Sequence, residues 1–373
     1  MIFIFFSVFL FLSAIIERKA VFNISIIIIS IYFSFTYGYG YDWINYRDTY
    51  IHSLDSNYIP FFVEPGFFYL MKVGQYSGIS FGVFLGIITL SIYIGVYYFC
   101  CKQKNPSLAF FTLFSFLSIY ILNEWIRQGL ATVLVMIAVI QLKRNKTGLF
   151  FIIVLFSCLF HAASIMSVFY YFINKSNKQK LNIIYSSAII LFLLFALYNP
   201  DIIASIPIVG DKVAAYGAIL QATNVGLWDY ILTSKVVFVY LAIVFFIKIF
   251  FSKVKDSNLY VSKSLVSMYF LFLSRLTPAL VRVGYFYVPF LIIDLDMAFS
   301  RVNTGFKTKP VKLIYMLFIL MVSTMPAWNG AFYYGSQSFL TIFSSSNEIN
   351  SEISKKCKII NEYSETHTIA RCL

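Results

Sequence analysis

Long apolar runs separated by short polar connectors make up most of the chain. A helix needs roughly 20 residues to cross a hydrocarbon core. Runs near that length fall at 1–16, 20–37, 79–99, 107–122, 126–142, 182–198, 231–251, 264–281, 283–300 and 311–327. Apolar residues follow one another within them, without the alternation of a barrel strand, so the pattern predicts helices. The first run, "MIFIFFSVFLFLSAIIERKA", has no basic leading region and no small-x-small cleavage site, and is expected to be a retained span.

One interval resists this scheme. Residues 149–173, "LFFIIVLFSCLFHAASIMSVFYYFI", are apolar, yet both flanks, "KRNKTG" and "NKSNKQK", are basic. A single crossing would carry three lysines to the far side, and two crossings do not fit the length. A re-entrant pair of short helices turning near His161-Ala-Ala-Ser164 satisfies both flanks. Such a break needs protein or a polar cavity to satisfy the freed backbone.

The connectors give the orientation. "ERK" after the first run, "CKQKN" at 101–105, "KRNK" at 143–146, "FSKVKDSNLYVSK" at 251–263 and "RVNTGFKTKP" at 301–310 are basic and are expected to be cytoplasmic. The stretches 38–78 and 199–230 then face outward, as does the N-terminus. The tail, "SEISKKCKIINEYSETHTIARCL", shows no clear core, and its side is left open by "FYYGSQSFLTIF" before it.

Composition agrees. The 373 residues are 60% hydrophobic and 12% charged, with a mean hydropathy of +0.80, whereas soluble domains carry roughly 25% charged residues. The expectation is an all-α polytopic membrane protein of about 10–12 transmembrane helices, with one transmembrane domain over 1–343 and a polar tail over 344–373. The net charge of +13, from 29 Lys and Arg against 16 Asp and Glu, reads as topology signals and not as a nucleic-acid surface. Five scattered cysteines form no CxxC, and their odd number argues against a disulfide framework. Cys100 and Cys101, at a basic edge, suit the reducing side. His52, His161 and His367 have no metal-site spacing, and no nucleotide loop or internal repeat is present. "GYG" at 38–40 resembles a cation filter but lacks its threonine-valine lead.

The few charges left stand out. "TYGYGYDWINYRDTY" at 36–50 gathers Asp42, Arg47 and Asp48 among aromatics. On a helix, Asp42, Tyr46 and Tyr50 share one face and Trp43 and Arg47 a neighbouring one. Aromatics at this level are ordinary membrane anchors, and also platforms for the apolar faces of sugars. In "PFFVEPGFFYLMKVG", Pro65 predicts a helix start with Glu64 just before it. Glu64 either caps that helix or, in a partly dry setting, serves as acid or base. Arg127, in "NEWIRQGLATVL", either pairs with Glu124 or offers its planar fork to phosphate oxygens. Arg275 and Arg282 bracket "LTPALV", where Pro278 kinks or ends a helix. Three arginines expected near one face suit an anionic lipid phosphate or diphosphate, against the alternative that they snorkel. His161 is either a proton acceptor or a satisfied core histidine. Asp294 and Asp296 fall inside the membrane or at its inner edge.

These segments, "YGYDWINYRDTY", "VEPGFFYLMKVG", "WIRQGLATVL", "LFHAASIM" and "LTPALVRVGYFYVPF", resemble in content and order the EpsG family of exopolysaccharide and O-antigen repeat-unit polymerases, which are Wzy-like. The likeness covers about 36–300. Two departures are Trp43, where the family has tyrosine after the motif aspartate, and His-Ala-Ala-Ser in place of the commoner His-x-Ser-Ala. The resemblance implies a bacterial inner-membrane glycosyltransferase, GT-C-like in one candidate arrangement, with its site facing the periplasm. It implies oligosaccharide repeats carried on undecaprenyl diphosphate and joined into O-antigen, as in lipopolysaccharide biosynthesis, or into a related polysaccharide. A flippase and a chain-length regulator are possible partners, membrane lipids surround the chain, and no cofactor or metal is needed. The catalytic candidates are then Asp42, Arg127, His161 and Glu64. The substrate-binding candidates are Trp43, Tyr46, Arg47, Tyr50, Gln128, Arg275, Arg282 and Tyr285. Three rivals stay open: a lipid-linked oligosaccharide flippase, whose charges should line a path through the bilayer, a non-catalytic assembly partner, and an acyltransferase using His161.

Overall fold

The computed structural model describes residues 2–55, 60, 63–175, 178–202, 214, 217, 235–251, 258–301, 308–329, 335, 337–363 and 372. Most of the 199–230 loop and parts of the 251–263 and 301–310 connectors lie outside them. The chain forms two compact units, residues 1–165 with 319–373, and residues 166–318.

The first unit opens with α1 (Ile2–Ile16) and α2 (Lys19–Phe35), antiparallel apolar helices tied by a Ser25–Ser13 hydrogen bond of 3.2 Å. Two short helices follow, α3 (Asp42–Ile51) and α4 (Pro65–Tyr76). Then come α5 (Phe81–Cys100), α6 (Pro106–Leu117), α7 (Ile126–Lys143) and α8 (Thr147–Ser157). α5 packs between α2 and α7, and α7 also packs on α8. Asn105 caps α6, accepting the Leu108 N–H at 3.0 Å, with Pro106 at the first helical position.

α6 does not stop at Leu117. It widens into a π-helical stretch, Ser118–Glu124, where the Trp125 N–H donates to the Tyr120 carbonyl five residues back. The Asn123 side-chain amide donates to the Ser118 carbonyl at 2.6 Å, giving a widened-turn carbonyl a partner.

After α2, β1 (Thr36–Tyr37) pairs antiparallel with β2 (Leu340–Thr341), with Thr36 opposite Thr341 and Tyr37 opposite Leu340. The tail, expected to have no core of its own, forms a helix over Ser346–Tyr363 whose Ile353, Lys356 and Ile360 are buried in this unit. Cys357 is joined to Cys372 by a disulfide, which the odd cysteine count argued against.

The 149–173 interval is not one continuous helix. α8 ends at Ser157, a turn covers 158–161, and a 3₁₀ stretch, Ala162–Val168, leads to α9 (Phe169–Lys175).

In the second unit α10 (Gln179–Tyr198), α11 (Lys235–Phe251), α13 (Pro278–Tyr285) and α14 (Val288–Arg301) all pack on α12 (Asn258–Ser274). Tyr287 stacks on Phe270 and Tyr170 on Phe290, with ring centroids 3.8 and 3.7 Å apart. The Tyr170 hydroxyl donates to Asp294 at 2.6 Å, and Asp294 and Asp296 are both buried on α14. The run expected at 264–281 is interrupted at Arg275–Thr277. Thr277 caps α13 through the Leu280 N–H, and proline at its start disfavours helix in the preceding residue.

Among the described residues six helical stretches are long and apolar enough to cross a membrane: Phe81–Cys100, Pro106–Glu124, Ile126–Lys143, Gln179–Tyr198, Leu280–Ser300 and Pro310–Trp328. Ile2–Ile16, Lys19–Phe35 and Thr147–Ser157 are shorter apolar helices. The protein is all-α and polytopic.

Candidate active site

The first unit draws four of the sequence candidates into one hydrogen-bonded chain. Arg127 lies one residue inside the start of α7, and its Nη1 donates to Glu64 Oε2 at 2.5 Å. Both side chains are buried. The Arg127 Nε donates to the Tyr46 hydroxyl at 3.4 Å, and the guanidinium lies 5.3 Å from the Tyr46 ring centroid. The Tyr46 hydroxyl donates in turn to Asp42 Oδ2 at 3.4 Å, one helical turn back on α3. Asp42 is half-buried, so the chain runs from a dry ion pair to a wetter carboxylate.

Glu64 stands at the N-cap position of α4, yet its side chain makes no capping bond. It reaches Arg127 instead, and its Oε1 accepts the Ala162 N–H at 3.4 Å. The turn at 158–161 is therefore docked on the ion pair, with His161 next in sequence to Ala162. Gly66 makes that docking possible. Its N–H donates to the Leu159 carbonyl at 2.8 Å, and a Cβ there would stand 2.7 Å from the same oxygen. A buried ion pair recovers its desolvation cost only when further hydrogen bonds complete it; Tyr46 and Ala162 supply two.

The other candidates from "TYGYGYDWINYRDTY" pack around this chain. Asp42, Tyr46 and Tyr50 do share a face of α3. Tyr50 is buried against Phe84, its hydroxyl donating to the Ile79 carbonyl at 2.6 Å. Trp43 is buried edge-on to Tyr37, and among the described residues its Nε1 has no hydrogen-bond partner. It lines a cavity of about 10 Å³ with Gly38, Tyr46, Thr89, Asn123 and Glu124, enough for one water molecule. Burial pushes the Tyr37 phenol up to about 12, with the Arg47 charge pulling the other way. Gln128 is fully buried beside Arg127.

Glu124, one of the two partners the sequence suggests for Arg127, accepts the backbone N–H of Tyr41 at 2.9 Å. Its carboxylate occupies the space a side chain at residue 40 would need, and Gly40 has a φ of +66°. The role of Glu124 was not legible, because only the folded chain brings residue 41 beside it.

Arg275, Arg282 and Tyr285 lie in the second unit. Arg275 donates from Nη2 to the hydroxyls of Tyr285, at 2.6 Å, and Tyr240, at 3.1 Å. Its guanidinium also lies about 5 Å from both ring centroids. Tyr240, 35 residues upstream, carried no local signal. Arg282 falls in the last turn of α13. Among the described residues no three His, Cys, Asp or Glu side chains are grouped to hold a metal ion.

A polytopic helical membrane protein with a buried Arg–Glu pair, a tyrosine relay to a half-exposed aspartate and a second tyrosine-held arginine is the class these features define. A model of the EpsG family matches residues 19–341, most of the chain, and the protein belongs to that family, which is of Wzy-like polymerase type. No curated protein and no solved structure matches the chain.

Proposed function

We propose that the protein joins lipid-linked oligosaccharide repeat units into a surface polysaccharide, and that the Asp42–Tyr46–Arg127–Glu64 chain is its catalytic centre. The carrying observation is the buried Arg127–Glu64 pair linked through Tyr46 to Asp42. The substrate is a repeat unit on undecaprenyl diphosphate, and the site faces the periplasm of the inner membrane.

The donor is activated already, because its anomeric carbon bears a diphosphate leaving group. The acceptor hydroxyl oxygen forms a bond to that carbon, and the carbon–oxygen bond to diphosphate breaks with its electron pair. Asp42, the most exposed member of the chain, takes the hydroxyl proton. Arg127, oriented on one edge by Glu64 and on another by Tyr46, meets the charge that develops on the diphosphate. Glu64 and the His161–Ala162 turn fix that arginine. Arg275, held by two neutral tyrosines, is a diphosphate-binding candidate in its own right.

Reconstitution with purified undecaprenyl-diphosphate repeat unit tests this reading. Wild-type protein is expected to give a ladder of multimers without other enzymes. Arg127→Ala and Asp42→Asn, at matched membrane abundance, are expected to lower polymer formation by about 100-fold or more. Full activity in both variants, or movement across the bilayer without joining, overturns it.

A further inference from the structure

The tail helix Ser346–Tyr363 is polar overall, yet it buries a lysine. Ile353, Lys356 and Ile360 make its inward stripe, and Lys356 is completely buried. An ammonium has three protons to donate. The Lys356 Nζ donates to the carbonyls of Gly38 at 2.5 Å, Gly40 at 2.7 Å and Ser338 at 3.3 Å. It also lies 5.5 Å from the centroid of the Tyr41 ring. Gly38 and Gly40 both take left-handed φ values, +90° and +66°, which a side chain disfavours. The "GYG" of the opening motif is thus a cation cradle after all, and the cation is the protein's own.

The contacts bear on one short loop. Lys356 holds Gly38 and Gly40 from one side, while Glu124 accepts the Tyr41 N–H. The β1–β2 pairing ties the residues just before the loop to 340–341. The next residue, Asp42, starts α3 and carries the relay to Arg127. The disulfide from Cys357, next to Lys356, to Cys372 closes the chain beyond the helix. The family match ends at residue 341, before this helix begins.

We propose that Lys356 is a positioning residue, and that the disulfide-closed C-terminal helix clamps the Gly38–Tyr41 loop on the oxidising, outward side of the membrane. Its effect on turnover rests on the repeat-unit polymerase reading; the clamp and its side do not. Lys356 touches no reacting atom. It acts by fixing the origin of α3, and so the placement of Asp42 and Tyr46 against Arg127. A disulfide persists on an oxidising side, so the contact with Gly38 and Gly40 puts the loop and the tail helix on that same side.

Three measurements on the full-length protein test this. In hydrogen–deuterium exchange, Lys356→Met is expected to raise exchange of the 36–50 amides while α5 and α7 keep their protection, and Lys356→Arg to restore most of it. Unchanged exchange at 36–50, or loss of protection throughout, overturns the clamp. In sealed right-side-out spheroplasts, a membrane-impermeant maleimide is expected to modify Cys357 and Cys372 only after an impermeant phosphine, as read by peptide mass spectrometry. Modification without reductant, or only after permeabilisation, overturns the assigned side. In proteoliposomes supplied with the lipid-linked repeat unit extracted from the source cells, Lys356→Met is expected to lower kcat about 10-fold, with KM within about two-fold and Lys356→Arg recovering most of the rate. Wild-type kcat in Lys356→Met, or a matching rise in KM, overturns positioning. If wild-type protein itself makes no polymer, the polymerase reading falls together with the positioning role, and exchange and labelling still decide the clamp.

Discussion

Arg127 and Arg275 are both arginines at the ends of apolar helices, but the groups that hold them differ. Arg127 is bound by the Glu64 carboxylate and by Tyr46. Arg275 is bound by Tyr240 and Tyr285, two hydroxyls and two ring faces with no formal charge. The carboxylate neutralises its arginine and fixes it in orientation. The tyrosines orient theirs through hydrogen bonds and ring contacts. The first arrangement fixes its arginine through a formal charge, and the second through hydroxyls and ring faces.

Removing each cation separates the two arrangements. Arg127→Ala leaves Glu64 buried without its ion-pair partner and is expected to cost about 3–5 kcal/mol of stability. Glu64→Gln combined with Arg127→Met should recover most of that loss without recovering polymer formation. Thermal unfolding in detergent reads the first and the reconstituted assay the second. A double variant as unstable as Arg127→Ala would mean that the pair is not the source of the cost.

Lys356 supplies a third case, because an amine can shed its proton and a guanidinium cannot. Burial lowers its pKa from 10.5 to about 8, opposed by the Glu352 and Glu124 charges and assisted by Lys355. The Tyr41 ring faces the same ammonium. Between about pH 8 and 10.5 the unfolded chain binds the extra proton, so stability rises with pH across that window. The gain, relative to Lys356→Met, is expected to be on the order of 3 kcal/mol. Unfolding midpoints at the two ends of the window check this, and equal slopes in both proteins would refute it.

Arg275→Met removes the donor to the Tyr240 and Tyr285 hydroxyls and should cost about 1–2 kcal/mol, with its main effect on substrate half-saturation. Tyr46→Phe should be mildest, at about 1 kcal/mol or less. It keeps the ring beside Arg127 and removes the bridge to Asp42. A larger loss of stability in Arg275→Met than in Arg127→Ala would reverse the contrast between the two sites.

How much of this could be read beforehand follows the range of each interaction. Hydropathy is local, and the runs at 79–99, 126–142 and 182–198 became Phe81–Cys100, Ile126–Lys143 and Gln179–Tyr198. The α3 face and the Pro65 helix start were equally legible, since helical spacing and proline geometry act over a few residues. Basic flanks alone marked the break near His161. Pairing across the fold left no such trace. Glu124, three residues from Arg127, was the natural partner in sequence, while Glu64, 63 residues away, makes the 2.5 Å ion pair. Lys356 sits in a helix too polar to suggest a buried face, and counting cysteines says nothing about which two meet.

The π-helical stretch at Ser118–Glu124 has a geometric consequence. One residue in excess of α-helical pitch rotates the helix beyond it, here as far as Glu124, by about 100° relative to α6. Beyond it Glu124 accepts the Tyr41 N–H, while α6 keeps its own buried face. A one-residue deletion between 118 and 124 would therefore act as a torsional misalignment, turning Glu124 away from the Tyr41 N–H while leaving α6 intact. The stretch works as a spacer measured in degrees, coupling the packing of α6 to the bearing of Glu124 on the Gly40–Tyr41 backbone.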